Sequence, residues 1–167
     1  CTIRTWSSAC STGAEPYTMA MVLAEFTEGR NDVSYSILAT DLSTDVLQTA
    51  RRGIYPEDLI APVPCDLQRK YVLTAKQPDR REVRITPKLR SRIGFARMNL
   101  MDEKYPIGEP MHVIFCRNVL IYFDRSTQEA LFQRFHDALA PGGYLVLGKV
   151  ETLLGPTRSL FSAVDPR

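Results

Sequence analysis

Glu15, Asp41, Asn99, Arg117, Asn118 and Tyr122 are the residues whose types and settings could do chemistry. Glu15 ends the small-residue run W-S-S-A-C-S-T-G-A-E and precedes Pro16, a residue tolerated in a first helical turn. A carboxylate at a helix entrance repels a pyrophosphate that wants the same N–H groups, and it attracts a ligand carrying an ammonium and a sulfonium. It also suits the helix dipole with no ligand at all, and both readings stand at this point. Asp41 closes the apolar run Y-S-I-L-A-T, a position from which an acid in a doubly wound fold accepts both ribose hydroxyls; as an ordinary turn residue it would need no ligand. Asn99, the neighbouring backbone at Leu100, or Asp102 could meet an adenine edge, against the plainer reading of a polar turn. Arg117 and Asn118 come directly off H-V-I-F-C, with Tyr122 one turn later, so they would face the crevice above a sheet. The competing reading makes Arg117 a structural ion pair and Tyr122 a core residue.

These residues need strands that end together and loops that turn tightly. The spacing predicts a strand over Ile3 to Ser7, a loop over Ser8 to Gly13 and a helix from Glu15 to about Glu28, stopped by Gly29. Ala9, Ser11, Thr12 and Gly13 would line the loop, whose single glycine fails the G-x-G-x-x-G dinucleotide pattern. A second strand is expected over Tyr35 to Thr40, and a second helix from an N-cap at Ser43 to Arg52 before Gly53. Pro56, Pro62 and Pro64 then exclude a long regular element, leaving room for a short helix over Asp66 to Tyr71.

Tyr71 to Thr74 and Glu82 to Thr86 read as a small antiparallel hairpin. Its stretch carries Lys76, Arg80, Arg81, Arg84, Lys88, Arg90 and Arg92, a cationic protrusion that would suit an acidic protein partner or be simply solvated. Strands follow over Ile93 to Met98 and Met111 to Cys116, then a helix over Thr127 to Ala140, an A-P-G-G turn, a strand over Tyr144 to Gly148 and a last strand near Leu160 to Val164.

With 167 residues, 44% of them hydrophobic, one domain is expected. The net charge of +2 gives no general attraction to nucleic acid or membrane, and no apolar run reaches spanning length. Cys1, Cys10, Cys65 and Cys116 form no C-x-x-C pair and have no histidine at ligand spacing, so no metal site and reduced, cytoplasmic thiols are expected. His112 and His136 lack a serine or cysteine partner and read as structural. The chain starts almost within a strand, and a piece of a longer protein is expected.

W-S-S-A-C-S-T-G-A-E-P-Y-T, A-T-D-L-S-T-D-V-L-Q-T-A-R-R-G-I-Y, M-N-L and I-F-C-R-N-V-L-I-Y-F, in that order, closely resemble the CheR family of chemotaxis receptor methyltransferases. The resemblance covers nearly the whole chain. It implies a Rossmann-like class I methyltransferase fold, a doubly wound and mostly parallel sheet with an inserted antiparallel β-subdomain at about 71–86. It also implies S-adenosylmethionine as cofactor, S-adenosylhomocysteine as product, and glutamates on chemoreceptor cytoplasmic helices as substrate. By the same resemblance Glu15 would meet the cofactor's amino group, Asp41 the ribose, and Asn99 with the Leu100 backbone the adenine. Arg117, with Asn118 beside it, and Tyr122 would line the transfer site, and the hairpin could bind a receptor tail.

Three departures accompany the resemblance. By the resemblance, the family's N-terminal helical domain, which supplies a catalytic arginine, is expected to be missing from the stretch given by this chain. Gly148, Lys149, Val150 and Glu151 stand where members usually read G-H-S-E, and the hairpin loop lacks the glycines of peptide-binding members. A non-catalytic module with the same fold is the second reading. A nicotinamide oxidoreductase is a weaker third, set back by Glu15 and the lone Gly13.

Overall fold

Apolar runs capped by small or polar residues become strands whose carboxyl ends converge. The computed structural model describes residues 1–75, 77, 80–149, 151–153 and 155–164, so Lys76, Val150 and Arg167 lie outside the described residues. Strand β1 (Thr2–Ser7) leads into helix α1 (Ala14–Thr27), β2 (Ser34–Asp41) and α2 (Thr44–Arg52). A smaller unit follows: β3 (Ile54–Pro56), α3 (Glu57–Ile60), α4 (Cys65–Tyr71), β4 (Val72–Thr74), β5 (Glu82–Ile85) and α5 (Pro87–Arg90). The main sheet resumes with β6 (Ile93–Arg97) and β7 (Met111–Cys116), then a 3-10 turn (Leu120–Tyr122), α6 (Arg125–Ala138), β8 (Leu139–Leu147) and a second 3-10 turn (Pro156–Leu160).

The five main strands are wholly parallel in the order β6-β2-β1-β7-β8. The order reverses between β1 and β7, so the loops leaving these two strands part to opposite sides and open a crevice at their carboxyl ends. Alternating side chains feed two cores. Tyr35, Ile37 and Ala39 of β2 join Tyr17, Ala20 and Ala24 of α1 on one face, while Trp6 and Ile114 meet Phe132 and Phe135 of α6 on the other. Trp6 is fully buried, its ring edge-on to Phe135 and Tyr105 at 5.6 and 5.1 Å. None of the helices among the described residues is long and apolar enough to cross a membrane.

Four expectations need correction. The antiparallel hairpin is the larger part of a three-stranded sheet in the order β3-β5-β4, because Ile54–Pro56 pairs with β5 before the prolines interrupt the chain. Pro56 is tolerated there on an edge strand. Ser43 precedes α2 without a side-chain cap; the Asp41 carboxylate accepts the Ser43 N–H instead, at 3.0 Å. The A-P-G-G segment is not a turn but an irregular start of β8, where the register slips between Met111 and Val113. The final strand is replaced by the 3-10 turn Pro156–Leu160, after which Phe161 stands edge-on to His136 of α6 at 5.7 Å, so this segment covers a helix and does not extend the sheet.

Candidate functional site

The loop from Ser8 to Gly13 is fastened at almost every step. The Ser8 N–H and hydroxyl both donate to the Phe115 carbonyl at 2.9 Å, tying the end of β1 to β7. The Cys10 N–H reaches the Thr40 carbonyl at 2.9 Å, and the Thr12 carbonyl accepts the Tyr55 hydroxyl at 2.6 Å. Ser11 occupies the left-handed region (φ 49°), which aims its N–H at Asp41 Oδ2, 2.9 Å away. Gly13 caps α1 at φ 95°, and an added Cβ there would lie 2.8 Å from the Ala50 Cβ and 2.9 Å from the Tyr55 hydroxyl. The lone glycine thus serves close packing of the loop on α2.

Glu15 sits in the first turn of α1, at the mouth of this loop. Its Oε1 accepts the Ser7 hydroxyl at 2.7 Å, and its Oε2 pairs with Arg117 Nη1 at 3.4 Å. The pair spans the switch point, joining the loop after β1 to the loop after β7. It borders a groove of about 470 Å³ lined also by Thr5, Val22 and Phe115. Both of the simpler readings of these residues hold in part. Glu15 complements the helix N-terminus, and Arg117 makes an ion pair whose second partner is the candidate ligand-binding acid.

Asp41 acts locally as a staple, one oxygen on the Ser11 N–H and the other on the Ser43 N–H. A carboxylate offers about four acceptor positions, so two remain for hydroxyl donors from the crevice. Asn99 Oδ1 accepts the Met101 N–H at 3.0 Å, which turns its amide nitrogen away as a free donor direction. The Leu100 carbonyl is taken by the Tyr105 hydroxyl at 2.7 Å and Arg134 at 3.1 Å, leaving the adenine expectation at Leu100 to its N–H. The Met98 N–H donates to the Asp41 carbonyl, so the β6 and β2 loops are held side by side.

Tyr122 is 79% exposed and is not core. Asn118 stands at φ 59°, exposed beside Arg117. Among the described residues the direct links between expected residues distant in sequence are therefore Ser11 to Asp41 and Glu15 to Arg117, and more locally the Asp102 N–H donates to the Asn99 carbonyl at 3.1 Å. Asn99 and Tyr122 share the same end of the sheet and bond to neither pair. Among the described residues no group of three or more His, Cys, Asp or Glu gathers to hold a metal ion.

Two participants were not visible as such in the sequence. Ser7, buried at the end of β1, orients Glu15. Glu151 gives its carboxylate to the backbone N–H groups of Asn118, Val119, Leu120 and Gly148 at 3.0, 2.9, 2.9 and 2.7 Å. Its signal was its place at the end of Gly148 to Glu151, where the resembled family reads G-H-S-E and this chain keeps the first and last letters.

A parallel sheet in this order, with one acid after the first strand and another after the second, has the form of a class I methyltransferase. A TehB-like SAM-dependent methyltransferase from Corynebacterium glutamicum shares the fold at a TM-score of 0.53 and 13% identity, over 95% of this chain and 62% of that one. The family model described as "CheR methyltransferase, SAM binding domain" matches residues 1–165, and the chain belongs to that family. It is 46% identical over 154 residues to a chemotaxis protein methyltransferase of Borreliella burgdorferi, covering 92% of this chain and 53% of the relative. It is 42% identical over 149 residues to one of Escherichia coli, covering 89% and 51%. The chain spans about half the length of these curated relatives.

Proposed function

We propose that this chain is the cofactor-binding and reaction-bearing part of a protein-glutamate O-methyltransferase acting on the cytoplasmic helices of chemoreceptors in the cytoplasm. The observation that carries the reading is the Glu15–Arg117 pair across the switch point, in a chain of the CheR family. The residues suit S-adenosylmethionine: Glu15 for its ammonium, Asp41 for its ribose diol, and Asn99 with the Leu100 N–H for its adenine. Ala9, Ser11, Thr12, Gly13 and Asn118 would border it. When bound, this cofactor supplies an electrophilic methyl group on a sulfonium.

A substrate glutamate, with a reference pKa of about 4.3, is already ionised at neutral pH, so no general base is required of the chain. The protein's work is alignment and exclusion of water. Arg117 is the group best placed to orient an incoming carboxylate. Its 3.4 Å contact with Glu15 is long and its side chain 44% exposed, so opening that pair costs less than about 1 kcal/mol. Tyr122 supplies an exposed aromatic wall. The cationic three-stranded unit, with Arg80, Arg81 and Arg84, offers a docking surface for an acidic receptor segment.

The non-catalytic reading rests on two expectations, an altered stretch from Gly148 to Glu151 and a missing helical domain. The Glu151 carboxylate, bonded to four backbone N–H groups, answers the first of them alone. Radiolabelled methyl transfer from the full-length protein to a receptor cytoplasmic fragment tests the proposal. Tyr122→Ala should lower the transfer rate while S-adenosylhomocysteine affinity changes little. Cofactor binding without any transfer by the unsubstituted protein would favour the non-catalytic module.

A further inference from the structure

Glu151 is 9% exposed, and a carboxylate so buried needs compensation. It finds that compensation in the backbone. Oε1 accepts from Val119 and Leu120, and Oε2 accepts from Asn118 and Gly148. Four donors fill the acceptor capacity of the group. Three of them are consecutive, a concave array of N–H groups made possible by Asn118 at φ 59°. The glycine matters as well: a Cβ on Gly148 would lie 2.6 Å from Glu151 Oε2 and 2.9 Å from Asn118 Oδ1.

The clamped segment lies between the two residues assigned to the reaction. Arg117 immediately precedes the first clamped N–H. The Tyr122 N–H donates to the carbonyl of Val119, a clamped residue, at 3.2 Å, so the 3-10 turn that carries Tyr122 is built on the clamp. From the opposite side Gln128 Nε2 donates to the Leu120 and Phe123 carbonyls at 2.9 and 3.0 Å. The segment is thus held by its N–H groups from the end of β8 and by its carbonyls from α6.

We propose that Glu151 is a positioning residue for methyl transfer, acting through the backbone of Asn118 to Leu120 to set where Arg117 and Tyr122 stand. The proposal rests on the reading that those two residues line the transfer site. Gln is nearly the size of Glu, yet it must turn an NH2 toward two N–H donors whichever way it lies. A space-filling role would tolerate it and a clamp would not. Asp keeps the charge on a shorter stem.

In the full-length protein, Glu151→Gln should fold with a wild-type circular dichroism spectrum and bind S-adenosylhomocysteine within about 3-fold of wild type. Its kcat for a receptor fragment should fall by about 10- to 100-fold, the range that small misplacement of reacting groups produces. Glu151→Asp should recover part of the loss, and amide exchange at 118–120 should accelerate in Glu151→Gln. Gly148→Ala, which presses on the clamp from the other side, should repeat the kcat-selective loss and carries the test if Glu151→Gln does not fold. A kcat within 2-fold of wild type in the folded variant, or a loss that merely tracks cofactor affinity, would overturn the proposal. Absence of transfer in the unsubstituted protein would instead refute the parent reading, and this inference with it.

Discussion

Asp41 is asked to serve two masters with one carboxylate, holding the Ser11 and Ser43 N–H groups while offering its remaining lone pairs to a ribose. Asp41→Ala should therefore weaken S-adenosylhomocysteine binding by about 1 to 3 kcal/mol, through lost charged hydrogen bonds and a loosened Ser11. Asp41→Asn, which keeps one acceptor oxygen, should lose less, and titration calorimetry on the two variants gives the order. Equal affinity in wild type and Ala variant would remove Asp41 from the site. At this scale the sequence was informative where polarity broke an apolar run, as at Asp41 and at Arg117. It was silent where the partner is backbone. Nothing in the letters around Glu151 reveals four N–H donors, three of them from residues some thirty positions earlier.

Among the elements, the alternation of strand and helix up to Gly53 was legible because β2 holds a mostly apolar run, β1 passes into a small-residue loop before its helix, and each helix has its own stop. The bounds differ by a residue or two, as at α1 and β6. The small sheet was only partly legible. Ile54–Pro56 is three residues long and proline-ended, and it becomes a strand through its partner β5 and not through any pattern of its own. The terminal stretch misled for a related reason: Phe161 and its neighbours look β-prone, yet their apolar surface is spent on α6. Gly13 belongs to this scale, since it governs how closely the first loop meets α2. Gly13→Ala should cost roughly 2 to 4 kcal/mol of unfolding free energy, from a left-handed backbone and overpacking together. Urea denaturation measures it, and a loss below about 0.5 kcal/mol, the ordinary range of a surface substitution, would show that α2 yields freely.

For the molecule as a whole, burial of thiols and phenols ties stability to alkaline pH. Desolvation pushes Cys10 and Cys116 up to about 12 from 9.0, and Tyr17 and Tyr105 up to about 12 from 10.0. These groups hold their protons more tightly folded than unfolded. Their contribution is complete below about pH 9 and is lost as pH rises from there through about 12. The urea midpoint should be lower at pH 10.5 than at pH 7.5. In the native protein the exposed Cys1 and Cys65 should react with a thiol reagent while the buried Cys10 and Cys116 wait for unfolding. Four equally fast thiols would contradict this packing.

The place of β1 at the centre of the sheet has a consequence for how the chain comes into being. One edge of β1 is completed early, by β2, but its other edge waits for β7, which pairs Thr5 with Val113. During synthesis β1 emerges long before its second partner, and the unpaired N–H and C=O groups of that edge wait through the production of the whole small sheet. Such distant pairing slows folding and prolongs exposure to mispairing. The crevice between those two strands, the place assigned to the chemistry, is also the seam at which the nascent protein remains open longest.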